Sequence, residues 1–309
     1  MVGVDSRIVL EDNKKHIEET NPSSFSWGYE KYNGPSKWGE YFPLASSGKR
    51  QSPIDLPGGV SWKVEKINSG AVNRSPIAFS DGYWDSSVEG ELSNNGHSLK
   101  FQVGIPNDFK IKKGPYGNEE YQFQKLHFHW GSIDSQGSEH TINGKRFPME
   151  MHMVHVNSKY VKCDGTVDST CLSSGDGLAV LGFVFELGDD DCTTLESITT
   201  GITTINCANG EKTTEGHVLN IQLNLGQFLN SSSANGYYTY PGSLTTPGCN
   251  ECVTWVIFKE TIGISKRQIA SFRSLKDHVG NPLVNNFRPT QTSNGRRIED
   301  GRSGENSDA

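Results

Sequence analysis

The stretch Leu126-His127-Phe128-His129-Trp130-Gly131 decides how this chain is read. Side chains on a β-strand alternate between its two faces, so His127 and His129 point one way while Leu126, Phe128 and Trp130 point the other. A strand over 122–130 then brings two imidazoles to one point. A third candidate stands in Met149-Glu150-Met151-His152-Met153-Val154-His155, also a strand pattern, from which a neighbouring strand presents His152 to the same point. Three neutral imidazoles and one open position make a catalytic Zn²⁺ site, because zinc takes four tetrahedral N, O or S ligands and the vacancy holds water. Taken alone, an H-x-H pair reads more simply as two surface-facing histidines beside an unrelated third. Glu150 changes that balance: two residues before His152 and on its face, it stands where it accepts the N–H that a metal-bound imidazole donates.

Outward from this pair, short apolar runs are punctuated by Asn-Gly, Ser-Gly, Asp-Gly and Pro-Gly turns, the pattern of a β-dominated domain. With 34 glycines among 309 residues, the composition suits such a fold better than a helix bundle. Further strands are expected over 147–156, 178–187 and 252–259, which are rich in β-branched and aromatic residues. Helices are expected over 192–205, with the acidic run Asp189-Asp190-Asp191 placed favourably before its N-terminus, and over 265–275. Charged residues number 29 Lys+Arg against 36 Asp+Glu, a net charge of −7, which argues against a nucleic-acid binder with a dominant basic face. Residues 1–22 and 291–309 are polar, lack apolar periodicity and read as disordered ends.

No run of residues is long and apolar enough to span a bilayer, and the first 21 residues lack the apolar core of a signal peptide. Six cysteines are too few to build the fold. Asn73 and Asn230 head N-x-S/T triplets that permit glycosylation, and a secreted protein is favoured over a cytoplasmic one. In a secreted chain a Cys163–Cys171 bridge is expected, because the span between them closes without strain. Cys252 reads as a buried, free strand residue.

The sequence resembles the α-class carbonic anhydrases. The match runs through Ser26-Trp27-Gly28-Tyr29, Gln51-Ser52-Pro53-Ile54-Asp55, Asn94-Asn95-Gly96-His97, His127-Phe128-His129-Trp130-Gly131, Ser138-Glu139-His140-Thr141, Glu150-Met151-His152, Asp176-Gly177-Leu178-Ala179-Val180-Leu181-Gly182, Ser243-Leu244-Thr245-Thr246-Pro247 and Asn286-Phe287-Arg288-Pro289. The resemblance implies one mainly β catalytic domain over 23–290, a large twisted, mostly antiparallel, ten-stranded sheet with a few peripheral helices and zinc at the bottom of a conical cleft. It implies reversible hydration of carbon dioxide to bicarbonate by zinc-hydroxide attack, with small-molecule substrates and no nucleic-acid partner. A cupin-type metal barrel also uses H-x-H, but its ligand Glu follows the pair by a few residues and does not call for Glu150, Thr245 and Asn286. Noncatalytic relatives have typically lost a zinc histidine; here all three stand.

Carried over residue by residue, the resemblance makes His127, His129 and His152 the zinc ligands, Glu150 the acceptor for His152 and the Asn286 carbonyl the acceptor for His129. Thr245 takes the place of the hydroxyl that donates to a carboxylate, Glu139, and so orients the nucleophile, while Thr246 orients substrate. Val154, Val180, Leu244, Val253 and Trp255 take the places of the apolar wall for carbon dioxide. His97 holds the proton-shuttle position, with Tyr29, Asn95 and Lys100 along the water path. Three departures stand out. Lys125 replaces a Gln that accepts from the first zinc histidine; Ala45 stands where a partner for Cys249 is expected, so that bridge is absent; and Gly248 replaces a proline, which implies a more flexible rim.

Overall fold

The strand expected around the histidine pair forms, and its alternation is matched on both faces. A computed structural model describes residues 25–58, 76–208, 218–232 and 236–301. In chain order the strands are β1 (Asp55–Leu56), β2 (Ile77–Phe79), β3 (Val88–Asn94), β4 (Leu99–Gln102), β5 (Lys110–Lys113), β6 (Tyr121–Trp130), β7 (Thr141–Ile142), β8 (Met149–Asn157), β9 (Leu178–Gly188), β10 (Val218–Leu223), β11 (Tyr237–Gly242), β12 (Val253–Phe258), β13 (Ile262–Ser265) and β14 (Glu299–Gly301). Twelve of them make one sheet whose main path is β10-β3-β4-β6-β8-β9-β12-β11-β14, with β2 joined through β5 to β6 and β13 joined to β9; β1 and β7 pair separately. Among the described residues the sheet therefore has twelve strands rather than ten. It is mixed: β9 runs parallel to β12 and β13, and the other pairings in it are antiparallel.

The central strands β6, β8 and β9 are buried on both sides. Phe123, Leu126, Phe128 and Trp130 of β6, the three methionines of β8 and Leu181, Phe183 and Phe185 of β9 form one face of the core. On the opposite face Val154 and Val156 meet Leu178, Val180, Val184, Trp255 and Ile257. A β-bulge between Phe123 and Lys125 shifts the β6–β8 register, which is why Phe123 and Leu126, three residues apart, both reach the same core.

The helix α1 (Glu196–Ala208) follows a 3-10 turn at Thr193–Leu195 and drives Ile198, Ile202 and Ile205 into that core. The helix α2 (Lys266–Arg273) starts at a capping box formed by Ser265 and Gln268 and buries Ile269 and Phe272. One residue of the acidic run before α1 has a further use. Asp191 accepts from the Ser265 hydroxyl and, at 2.6 Å, from Arg267, so it fastens the start of α2.

The C-terminal stretch is a second correction. From Gln291 to Gly301 it is built into the fold: Gln291 N–H donates to Pro53 O at 2.7 Å, Arg296 reaches Gln51 O at 2.7 Å, and β14 extends the sheet along β11. Its polar residues satisfy backbone acceptors of distant loops, a use that leaves no periodic trace. Residues 1–22, the tail after Gly301, Asn73 and the side chain of Asn230 lie outside the described residues. The Cys163–Cys171 bridge does not form: Cys163 is exposed, while Cys171 is buried in the apolar cluster that also holds Cys252, and both thiols are free. Cys249 packs near Ala45, as its missing partner requires. Among the described residues no helix is long and apolar enough to cross a membrane.

On the core face of β8, His155 hydrogen-bonds with the Tyr83 hydroxyl and donates to Met153 O. Burial pushes its imidazole down to about 3. An unfolded chain takes up a proton there below about pH 6.5 that the fold refuses, so this contribution to stability is complete above that value and is lost as pH falls. Its slope is about 1.4 kcal/mol per pH unit. Replacing His155 with Gln should flatten the acid limb of urea-unfolding stability measured from neutral to mildly acidic pH. An equally steep limb in the variant contradicts this assignment.

Candidate metal centre

Antiparallel register builds the site. On β6 and β8, His127 lies directly opposite His152 and His129 opposite Glu150, so all four side chains leave the same face. The ring centroids are 5.1 Å apart for His127 and His129, 5.2 Å for His127 and His152, and 4.7 Å for His129 and His152. One nitrogen from each ring lies within 4.8 Å of the others.

Hydrogen bonds decide which nitrogen two of the rings offer. His129 Nδ1–H donates to Asn286 O at 2.7 Å, which leaves Nε2 with a free lone pair; that atom is buried and has no hydrogen-bond partner. His152 Nε2–H donates to Glu150 Oε1 at 2.7 Å, leaving its Nδ1 on the site side, 3.9 Å from Glu139 Oε2. Burial pushes the His129 imidazole down to about 3 and the His127 imidazole well below its usual range, so both are neutral and able to ligate. A second cluster, His140, Glu150 and His152, also has metal-like spacing. Its facing atoms are already spent on each other in hydrogen bonds, which makes it a support for the first.

That support is tight. Glu150 accepts from the backbone N–H of Glu139 and of His140, each at 2.8 Å, and from the rings of His140 and His152, each at 2.7 Å. Burial raises its carboxyl, but the two imidazoles outweigh burial and hold it well below the usual carboxylate range. On its far side His140 Nε2 lies 2.6 Å from the Tyr240 hydroxyl, itself 3.0 Å from Ser52 Oγ. Sequence reasoning gave His140 no role. Its place in the Ser-Glu-His-Thr run was the only signal, and its partners are as far away as Ser52 and Tyr240.

Glu139 sits beside the same point, with Oε1 accepting from Arg288 N–H at 2.7 Å and Oε2 buried 3.4 Å from His129 Nε2. Burial pushes its carboxyl up to about 7, while His152, the Arg288 N–H and a hydrogen bond from Thr245 pull it down. Thr245 is buried in the turn after β11, and Gly248 in that turn has φ +97°, a conformation barred to proline. Glycine there supplies geometry, where sequence reasoning expected flexibility. Val154, Val180, Val253 and Trp255 share one apolar cluster, against which Leu244 packs; the Trp255 ring is 4.7 Å from that of His152.

His97 is half-buried and stacks on Trp27 at 3.8 Å. Asn95 Oδ1 accepts from the N–H groups of His97 and Ser98, so its amide holds the turn. Lys100 lies opposite His127 on β4, and Tyr29 is close enough to Glu139 for that charge, after burial, to push its phenol up. Asn286 joins the two ends: its carbonyl holds His129 and its Nδ2 donates to His97 O at 3.0 Å.

A sequence model of the eukaryotic-type carbonic anhydrase family matches residues 33–301. The chain is 34% identical over 277 residues to carbonic anhydrase 7 of Mus musculus and 35% identical over 277 residues to carbonic anhydrase 7 of Homo sapiens, covering 88% of this chain and 96% of the relative in each case. Enzymes of this family are zinc-dependent, and the histidine cluster fits a metal.

One ring of the cluster is less well held than the others. His127 Nδ1 is buried with no hydrogen-bond partner, and the charge of Lys125, two residues earlier, adds to the burial that lowers its imidazole. Outer partners of metal-bound imidazoles are worth about 10- to 100-fold in affinity. Lys125→Gln, which supplies an acceptor, should therefore slow zinc release to a chelator by up to about tenfold. Release at an unchanged or faster rate contradicts this account of position 125.

Proposed function

Because the chain belongs to the eukaryotic-type carbonic anhydrases, we propose that His127, His129 and His152 hold one zinc ion and that this site hydrates carbon dioxide reversibly to bicarbonate and a proton. The observation that carries the proposal is the pair of tautomers set from behind: Asn286 and Glu150 each take one N–H and leave His129 Nε2 and His152 Nδ1 aimed at a common point. Zinc bound there supplies Lewis acidity that makes hydroxide available near neutral pH, an effect for which this family is itself the standard example.

The protein's own groups do the rest. The Thr245 hydroxyl lies near enough to Glu139 to lower its carboxyl; by giving its proton to that carboxylate it would turn its oxygen to the site as an acceptor and fix the direction of a donor arriving there. The Arg288 N–H keeps Glu139 Oε1 in place, which keeps that polarity from reversing. Thr246, half-buried in the same turn, offers the second hydroxyl for orienting substrate or product. Carbon dioxide is small and apolar, so Val154, Val180, Leu244, Val253 and Trp255 hold it weakly against the metal, which suits fast turnover. The proton released leaves through water lined by Tyr29, Asn95 and Lys100 to the His97 imidazole, a group that takes and gives protons near neutral pH.

Replacing His129 with Ala should abolish stoichiometric zinc and carbon dioxide hydration together, read by metal analysis and stopped-flow pH change; full activity in metal-free protein overturns the proposal. His97→Ala should lower turnover in weakly buffered solution and recover in part with added imidazole, because a free base replaces an internal one. An unchanged rate at low buffer assigns the proton to another group.

A further inference from the structure

The turn that carries His97 is bound to a second loop far away in sequence. Asn94 Oδ1 accepts from Gly96 N–H at 2.9 Å, and its Nδ2 donates to Lys276 O at 2.7 Å, so one amide fastens both segments. The second loop is stiff. Asp277 Oδ1 accepts from the N–H groups of Val279 and Asn281 at 3.0 and 2.8 Å, Asp277 N–H donates to Asn281 O at 2.9 Å, and Lys276 bridges Pro282. This arrangement presents His278 to the His97 turn. Gly96 has φ +79°, and a Cβ there would lie 2.7 Å from His278 Nδ1, so the imidazole occupies the space that glycine leaves. The two rings meet edge to face, with centroids 6.0 Å apart at 66°. His97 is half-buried and His278 is exposed.

We propose that His278 is a second proton carrier, which takes the proton from His97 and passes it to bulk solvent. This rests on the reading of His97 as the internal relay. The transfer balances simply: a protonated His97 ring gives its N–H proton, directly or through one bridging water, to a lone pair on a neutral His278 ring, His97 returns to neutral, and His278 then yields the proton to buffer. Two imidazoles on turns that one amide fastens together extend the path from the half-buried ring to one that buffer molecules can reach. Lys276 and Asp277 flank His278, and the Asp277 carboxylate is engaged by backbone N–H groups of its own loop.

The test compares the zinc enzyme with its His278→Ala, His278→Gln, His97→Ala and double-alanine variants. In weak buffer both His278 variants should lose kcat several-fold with kcat/KM unchanged, imidazole should restore the loss, and His278→Ala should cost nothing further once His97 is Ala. In the metal-free protein, nuclear Overhauser contacts between the ring protons of His97 and His278 should be present. Wild-type kcat in weak buffer for either His278 variant, while His97→Ala is slow, overturns the second carrier and leaves His97 standing. A loss in kcat/KM that buffer does not restore marks a structural role and also overturns it. If His97→Ala itself changes nothing, the underlying relay reading fails, and the second carrier with it.

Discussion

The buried carboxylate of Glu150 is the constraint on which the rest of the site depends. An anion removed from water is tolerated only when its oxygens are filled with donors, and here two backbone N–H groups and two imidazoles fill them. Each donor is fixed in turn by that requirement. His152 must turn its Nε2 inward and its Nδ1 outward, the 139–140 backbone must pass close to β8, and His140 must orient its far nitrogen towards Tyr240 and Ser52. A single charge thereby sets the His152 tautomer, a loop path and the packing of three distant segments.

Arg288 works in the same way from the opposite side. Its buried guanidinium donates to Gln51 Oε1 and Ser52 O, at 2.8 and 2.9 Å, and to Ala45 O at 3.1 Å, while its own backbone N–H holds Glu139. The fork of an arginine suits several fixed acceptors better than a point charge does. Segments near residues 45–52, 139 and 286–288 are thus closed over the end of the sheet by polar contacts, whereas β6, β8 and β9 are held by apolar ones.

What the sequence made legible follows the range of the physics involved. Strand parity is local, so the common face of His127, His129, His152 and Glu150 was readable, as were the spans of β6, β8, β9 and β12 to within two residues. The wider constellation of Thr245, Glu139 and Asn286 was readable only through resemblance, because nothing in a Thr-Thr-Pro turn announces a buried carboxylate far along the chain. Long-range polar contacts left no pattern at all. Asp191, placed as a helix-end charge for α1, also fastens α2, residues 291–301 looked unstructured yet carry β14, and nothing in the sequence singled out His278. The bulge in β6 shows in the sequence only as the odd interval between Phe123 and Leu126, with too short a run before it to reveal a change of phase.

That bulge bears on how the strand of His127 and His129 is inherited and borrowed. It lies where β6 exchanges one neighbour for another: Gln122 still pairs with β5, and Lys125 already pairs with β4. The strand is therefore two segments of opposite phase joined at Gln124, each in step with its own neighbour. Deleting that one residue would leave Phe123 two places before Leu126, the spacing at which an unbulged strand already sends both into the core, so the faces would stay as they are while the local bend and the Val103 N–H to Gln124 O bond are lost. The portable unit is then the short ladder of 125–130 against 149–154, and what must be kept before it is that Phe123 and Leu126 reach the same core, with or without an extra residue between them.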